Sequence, residues 1–138
     1  MQPIKALADT RERDAGAIVA AARRTVEDRE RQLEQLRGYR TEYAKRAATE
    51  GAADAVRLQN YHAFLARLGD AIRQQEEMVV AARRELEQKL VQWQERRVEA
   101  ASLGKVVQRI ATVEQKAADR REQIETDERA LRSRLPRG

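Results

Sequence analysis

From Leu58 onward the chain returns to an apolar side chain at every seventh residue: Leu58, Leu65, Ile72, Val79, Leu86, Trp93, Ala100 and Val107. Three positions later in each heptad stand Tyr61, Leu68, Gln75, Ala82, Lys89, Arg96, Leu103 and Ile110. The two series are the a and d positions of a coiled-coil seam, with a polar middle in the d series. Beyond Val107 the a series turns polar at Glu114 and Arg121, whereas the d series continues through Ala117, Ile124 and Leu131. The seam narrows toward the C-terminus without stopping.

The first third of the chain is less regular. Ala15, Ala22, Leu36 and Tyr43 share one seven-step series, interrupted by Arg29; Ile4 and Ile18 share another, and Val19, Val26 and Leu33 flank them. The apolar stripe therefore drifts around the helix. Gly16 and Gly38 are its weak points, as Gly69 and Gly104 are those of the second segment. Pro3 lies where a first-turn proline is tolerated. Between the segments lies TEGAAD (49–54), in which Gly51 suits a C-terminal cap and Asp54 an N-cap. The pattern predicts helix one over about 4–47, a turn over about 48–54 and helix two over about 55–135, ended by Pro136.

A short connection between long helices favours an antiparallel arrangement. The expected fold is all-α: residues 1–138 as a single coiled-coil hairpin, its second helix longer and overhanging. Centring the turn on Gly51 makes paired residue numbers add to roughly 102. Val79, Leu86 and Trp93 then face the small run AGAIVAAA (15–22) and the residues just before it, so that large side chains interdigitate with small ones. Helix one, roughly 65 Å long against roughly 120 Å for helix two, runs out opposite about residue 100. Leu103, Val107, Ile110, Ile124 and Leu131 keep an apolar stripe on the overhang. That stripe needs a partner: another copy, another protein, or the N-terminal residues folded differently. The alternative is fraying of the last fifteen residues.

Composition agrees with long helices and removes several functions. Of 138 residues, 37% are charged and 4% aromatic, the usage of a coiled coil rather than of a compact globule. The 41% of apolar residues recur with a period, which sets the chain apart from a disordered one. There is no cysteine, hence no disulfide or thiolate chemistry. The N-terminus MQPIKALADTRERD has no signal-peptide core, and no window approaches the roughly 18 apolar residues of a membrane span; a cytoplasmic protein is expected. The formal net charge of +5 comes from interspersed acids and bases, as in EDRERQLEQLR. Such interspersion is a solvated helix surface, not the concentrated basic face of a nucleic-acid binder. One histidine, His62, no phosphate-cradling glycine loop and the lack of a deep pocket in a hairpin argue against an enzyme, a metal or a cofactor.

Four of the five aromatic residues, Tyr39, Tyr43, Tyr61 and Phe64, lie on either side of the turn. A hairpin gathers them at one end. Gln32, Leu36, Tyr39 and Tyr43 follow i, i+4, i+7, i+11, and so do Phe64, Leu68, Ala71 and Gln75. Each set makes one helix face. Leu36, Tyr43, Tyr61 and Leu68 fit the seam; Tyr39 and Phe64 stand beside it. Either this surface is a protein contact, or the bulky residues close the hairpin end against fraying.

The stretch LRGYRTEYAKR, the glycine-containing gap and RLQNYHAFLARLGDAIRQQ together resemble the FliJ family of flagellar export proteins. That family pairs a tyrosine-bearing first helix with an N-Y-x-x-F-[LI] opening of the second, here Asn60, Tyr61, Phe64 and Leu65. The resemblance covers nearly the whole chain in length and helix pattern, but its specific part is residues 32–75. It implies an antiparallel coiled coil similar to the stalk subunit of rotary ATPases, acting without catalysis in flagellar type III export at the cytoplasmic face of the inner membrane. It implies three partners: the export ATPase ring at the end bearing the termini, the cytoplasmic domain of the export gate protein, and empty substrate chaperones. The family's gate-contacting positions fall on Gln32, Leu36, Tyr39, Tyr43, Phe64, Leu68, Ala71 and Gln75, with Gln75 where a histidine can occur. At the other end Leu103, Val107, Ile110, Ile124 and Leu131 become the residues for the ATPase. Two other readings stay open: the stalk of an injectisome, which generally lacks the N-Y-x-x-F region, and an unrelated scaffold or nucleic-acid-binding arm, whose binding would fall steeply with salt.

Overall fold

A computed structural model describes residues 2–50 and 55–135. Two helices, α1 (Gln2–Glu50) and α2 (Ala55–Arg134), pack against each other antiparallel, and the fold is an all-α helical hairpin. Helix α2 is the longer, 80 residues against 49. The expected caps Gly51 and Asp54 and the terminating Pro136 lie outside the described residues. Both helices run unbroken through their glycines.

The chain divides into two compact units, residues 13–94 and residues 1–12 with 95–138. In the first unit the seam predicted for α2 is the core: Leu68, Ile72, Val79 and Ala82 are buried, and Leu65, Leu86 and Trp93 half-buried. On α1 the buried a series is Val19, Val26 and Leu33, the residues that looked like flanks in the sequence. Ile18, which looked like seam, is 49% exposed. The d series is the small one, Ala15 and Ala22, followed by Arg29, Leu36 and Tyr43, all half-buried. Leu33, Leu68, Ile72 and Val79 form one cluster, with Leu36 and Phe64 packed against it.

The register differs from the one centred on Gly51. Gly16 meets Trp93 and Tyr43 meets Phe64, so seam numbers add to roughly 107–109. The gap between the helix ends is centred beyond Gly51, and the seam advances further along α2 away from it. Trp93 still lies on the small run: a Cβ built on Gly16 would stand 3.2 Å from the indole Nε1. Glycine there admits the one bulky ring that faces α1 in this stretch.

Two polar interruptions of the seam, Arg29 and Gln75, meet each other. The Gln75 side chain, 8% exposed, donates from Nε2 to the Arg29 carbonyl oxygen at 3.0 Å and to Gln32 Oε1 at 3.2 Å. Among the described residues no buried side-chain polar atom lacks a partner. A satisfied polar layer in a largely apolar seam favours one register over its neighbours at some cost in stability.

Gly38 differs from Gly16, because a Cβ added there meets nothing within 4 Å. Gly38→Ala should therefore raise stability by about 0.5–1 kcal/mol through helix propensity alone. A urea titration followed by circular dichroism checks this; a loss would mean that the α1 backbone at 38 is not plain helix.

In the second unit the first turns of α1 lie along α2. Ala8 and Ala100 are buried, Lys5 Cε is 3.2 Å from the position of a Gly104 Cβ, and Arg11 pairs with Glu99 at 3.8 Å. That exposed pair is worth at most about 1 kcal/mol. Gln2 and Pro3 line a recess with Val107, Ile110, Ala111 and Glu114. Helix α1 thus runs out opposite about residue 110, not residue 100, and the overhang is correspondingly shorter. Every described residue from 108 to 135 is exposed.

Candidate functional site

The geometry of the seam sorts the eight sequence-predicted contact residues. With Leu33 and Ile72 as a positions, Leu36, Tyr43, Leu68 and Gln75 are d positions, and Gln32, Tyr39, Phe64 and Ala71 are g positions, one step before each a. In an antiparallel pair the g positions of both helices border the same flank and the e positions border the other. The eight residues therefore make one flank of the 13–94 unit, with d residues beneath and g residues outward. Exposure follows this order. Leu68 and Gln75 are buried, and Leu36, Tyr43, Phe64 and Ala71 half-buried; Gln32 is exposed, and Tyr39 is 52% exposed.

The opposite flank is closed differently. Glu30 and Arg83 pair across it at 2.8 Å, and Arg37 Nη2 lies 3.7 Å from Glu76 Oε1. All four are e positions. Their long side chains bridge the helices and cover the seam from that side. On the g flank the inter-helix contacts are aromatic or amide. The Tyr43 and Phe64 rings are 4.5 Å apart between centroids and tilted by 47°, within the range that favours tilted aromatic pairs. Arg46 lies over Tyr43, its Cζ 5.5 Å from the ring centroid, and its Nη2 is 2.9 Å from Glu42 Oε1. Tyr43 is thereby held between a cation on α1 and a ring on α2.

The same flank continues past the aromatic pair into a recess of about 290 Å³, lined by Tyr43, Arg57, Asn60, Tyr61 and Phe64. Asn60 and Tyr61 belong to the N-Y-x-x-F stretch but not to the eight predicted contact positions, and Arg57 belongs to neither. The spacing alone could have found Arg57, since it stands seven residues before Phe64 in the g series. His62 is exposed on α2.

In the other unit the predicted ATPase-facing residues divide. Leu103 and Val107 are half-buried on the part of α2 where α1 begins. Ile110, Ile124 and Leu131 are 39%, 50% and 64% exposed. Along 108–135, α2 carries i, i+4 pairs such as Glu125–Arg129 and Glu128–Arg132. Of the three expected covers for the stripe, the N-terminal residues serve its first part only.

Among the described residues no helix is long and apolar enough to cross a membrane. Comparison with curated protein sequences returns no match. A family model described as "Flagellar FliJ protein" matches residues 1–137.

Proposed function

The chain belongs to the FliJ family, which gives it a role in flagellar export, and on that premise we propose that it is a non-enzymatic stalk and adaptor of the type III export apparatus. The g flank of the 13–94 unit binds the cytoplasmic domain of the export gate through Gln32, Leu36, Tyr39, Tyr43, Phe64, Leu68, Ala71 and Gln75. In that set the outward residues make the contact, while Leu68 and Gln75 hold the surface from beneath. The exposed stripe of Ile110, Ile124 and Leu131, with Leu103 and Val107 at its root, binds the export ATPase ring. The protein works at the cytoplasmic face of the inner membrane through these partners, and it escorts empty substrate chaperones.

One observation carries the gate reading: an exposed tyrosine, Tyr39, on the flank that inter-helix ion pairs leave open. Tyr39 shares that flank with the half-buried Leu36, Tyr43 and Phe64, and aromatics buried by a partner commonly dominate binding energy. Removing residues 121–138 should impair stimulation of the ATPase while gate binding stays near its original strength, because the described residues it takes, 121–135, are all exposed. ATPase assays and pull-downs on the same truncated protein check this. Loss of gate binding with intact stimulation would mean that the two surfaces are exchanged.

A further inference from the structure

The recess at the end of the g flank has a composition that the eight contact positions do not account for. Three of its walls are aromatic: Tyr43, Tyr61 and Phe64. Its rim holds the exposed side chains of Arg57 and Asn60. Its volume of about 290 Å³ is generous for one large side chain and small for a folded element. Two of the walls are held before anything binds. Phe64 packs on the core cluster, and Tyr43 is held between Phe64 and Arg46. A preformed pocket spares the ordering cost that a flexible tip would impose on binding.

Charge identifies the occupant. From residue 55 to residue 69 the chain carries Arg57 and Arg67 and no carboxylate. The next acid, Asp70, is paired with Arg73. Among the described residues that line the recess, Arg57 is the one charge. The charge offered to an occupant by the lining itself is therefore a cation. Asn60 adds an amide that can both donate to and accept from a backbone passing over the rim.

We propose that this recess is an anchor pocket for an acidic segment of the partner: one aromatic or large aliphatic side chain enters between Tyr43, Tyr61 and Phe64, and carboxylates beside it lie against Arg57. This rests on the reading of the g flank as the gate-binding face, and it extends that face to Arg57, Asn60 and Tyr61. The apolar anchor supplies the affinity, and the flanking acids select the segment and speed its arrival. Arginine suits the rim because its planar fork matches a carboxylate.

The test uses the full chain labelled with ¹⁵N and three short peptides. The first holds one phenylalanine between two pairs of aspartates, the second replaces the aspartates by lysines, and the third replaces the phenylalanine by alanine. The first should shift the amide signals of Arg57, Asn60, Tyr61 and Phe64, the second and third should not, and Arg57→Glu should weaken the first at least about tenfold. Circular dichroism of that variant confirms that the exposed substitution leaves the helices intact. Equal response to the acidic and basic peptides, a response spread over arginines along both helices, or no response overturns the proposal. A parallel titration with the gate cytoplasmic domain separates the two readings. If the peptide binds and the gate domain does not, the pocket stands and the gate assignment falls; if the gate domain binds and the peptide does not, the reverse holds.

Discussion

Ile72→Ala is expected to cost about 2–5 kcal/mol of stability, whereas Ile124→Ala, on the same helix, should change it by less than about 0.5 kcal/mol. Ile72 is 2% exposed and belongs to the cluster of Leu33, Leu68 and Val79, against which Leu36 and Phe64 pack. A two-helix seam is only one layer of side chains deep. The cavity left by truncation is therefore bounded by few neighbours, and each of them loses contact area. Ile124 is 50% exposed, so its truncation removes little that folding had buried. Using the same residue type at both positions cancels most of the difference in helix propensity. Thermal and urea unfolding followed at 222 nm measures both. Similar small losses at the two sites would mean that α1 and α2 do not pack through Ile72, and the account of the flank would fall with the seam.

How much of this was legible in the sequence differed between the helices. In α2 an unbroken apolar series over eight heptads announced the seam, and its buried residues are the predicted ones. In α1 the same period was present but masked. The a series that becomes Val19, Val26 and Leu33 begins with Lys5 and Glu12, both polar. The d series is readable as Ala15, Ala22, Leu36 and Tyr43, and only its first described member, Ala8, escapes. Ile4 and Ile18 are large and lie in the g series, so they drew the stripe off its true line; they are 54% and 49% exposed. The small run is legible because a large residue on α2 must face it, and Trp93 does meet Gly16.

The contact face was legible in part for a related reason. The spacing i, i+4, i+7, i+11 alternates d with g, and any such set forms one face whatever the register. Which flank is open depends on pairs across the seam, and those require the register. At a sum near 102, Glu30 would lie opposite residue 72 and no ion pair would be visible. In the structure it reaches Arg83, and Arg37 reaches Glu76, which closes the other side. The depth of each residue was equally out of reach. Gln75 reads as a polar residue in the d series, and what lets it be buried, the Arg29 carbonyl and the Gln32 amide at the same level of the seam, depends on the register.

Tyr39→Ala is expected to weaken binding to the gate cytoplasmic domain by about 1–2 kcal/mol while leaving the unfolding curve within about 0.5 kcal/mol of the original. Phe64→Ala should reduce both. The contrast follows from position: Tyr39 is a g residue 52% exposed, so the folded chain alone gains little from its ring. Phe64, also a g residue, turns inward enough to pack on the Leu68–Ile72 cluster and on Tyr43, so its truncation opens the end of the core. Binding by calorimetry and stability by urea titration, measured on the same two proteins, separate contact from closure. If Tyr39→Ala binds unchanged while Phe64→Ala loses binding only in proportion to its lost stability, the aromatics serve to close the end of the hairpin. If Tyr39→Ala loses binding at full stability, the ring spends its apolar area on a partner, which is what an exposed tyrosine beside a finished core is placed to do.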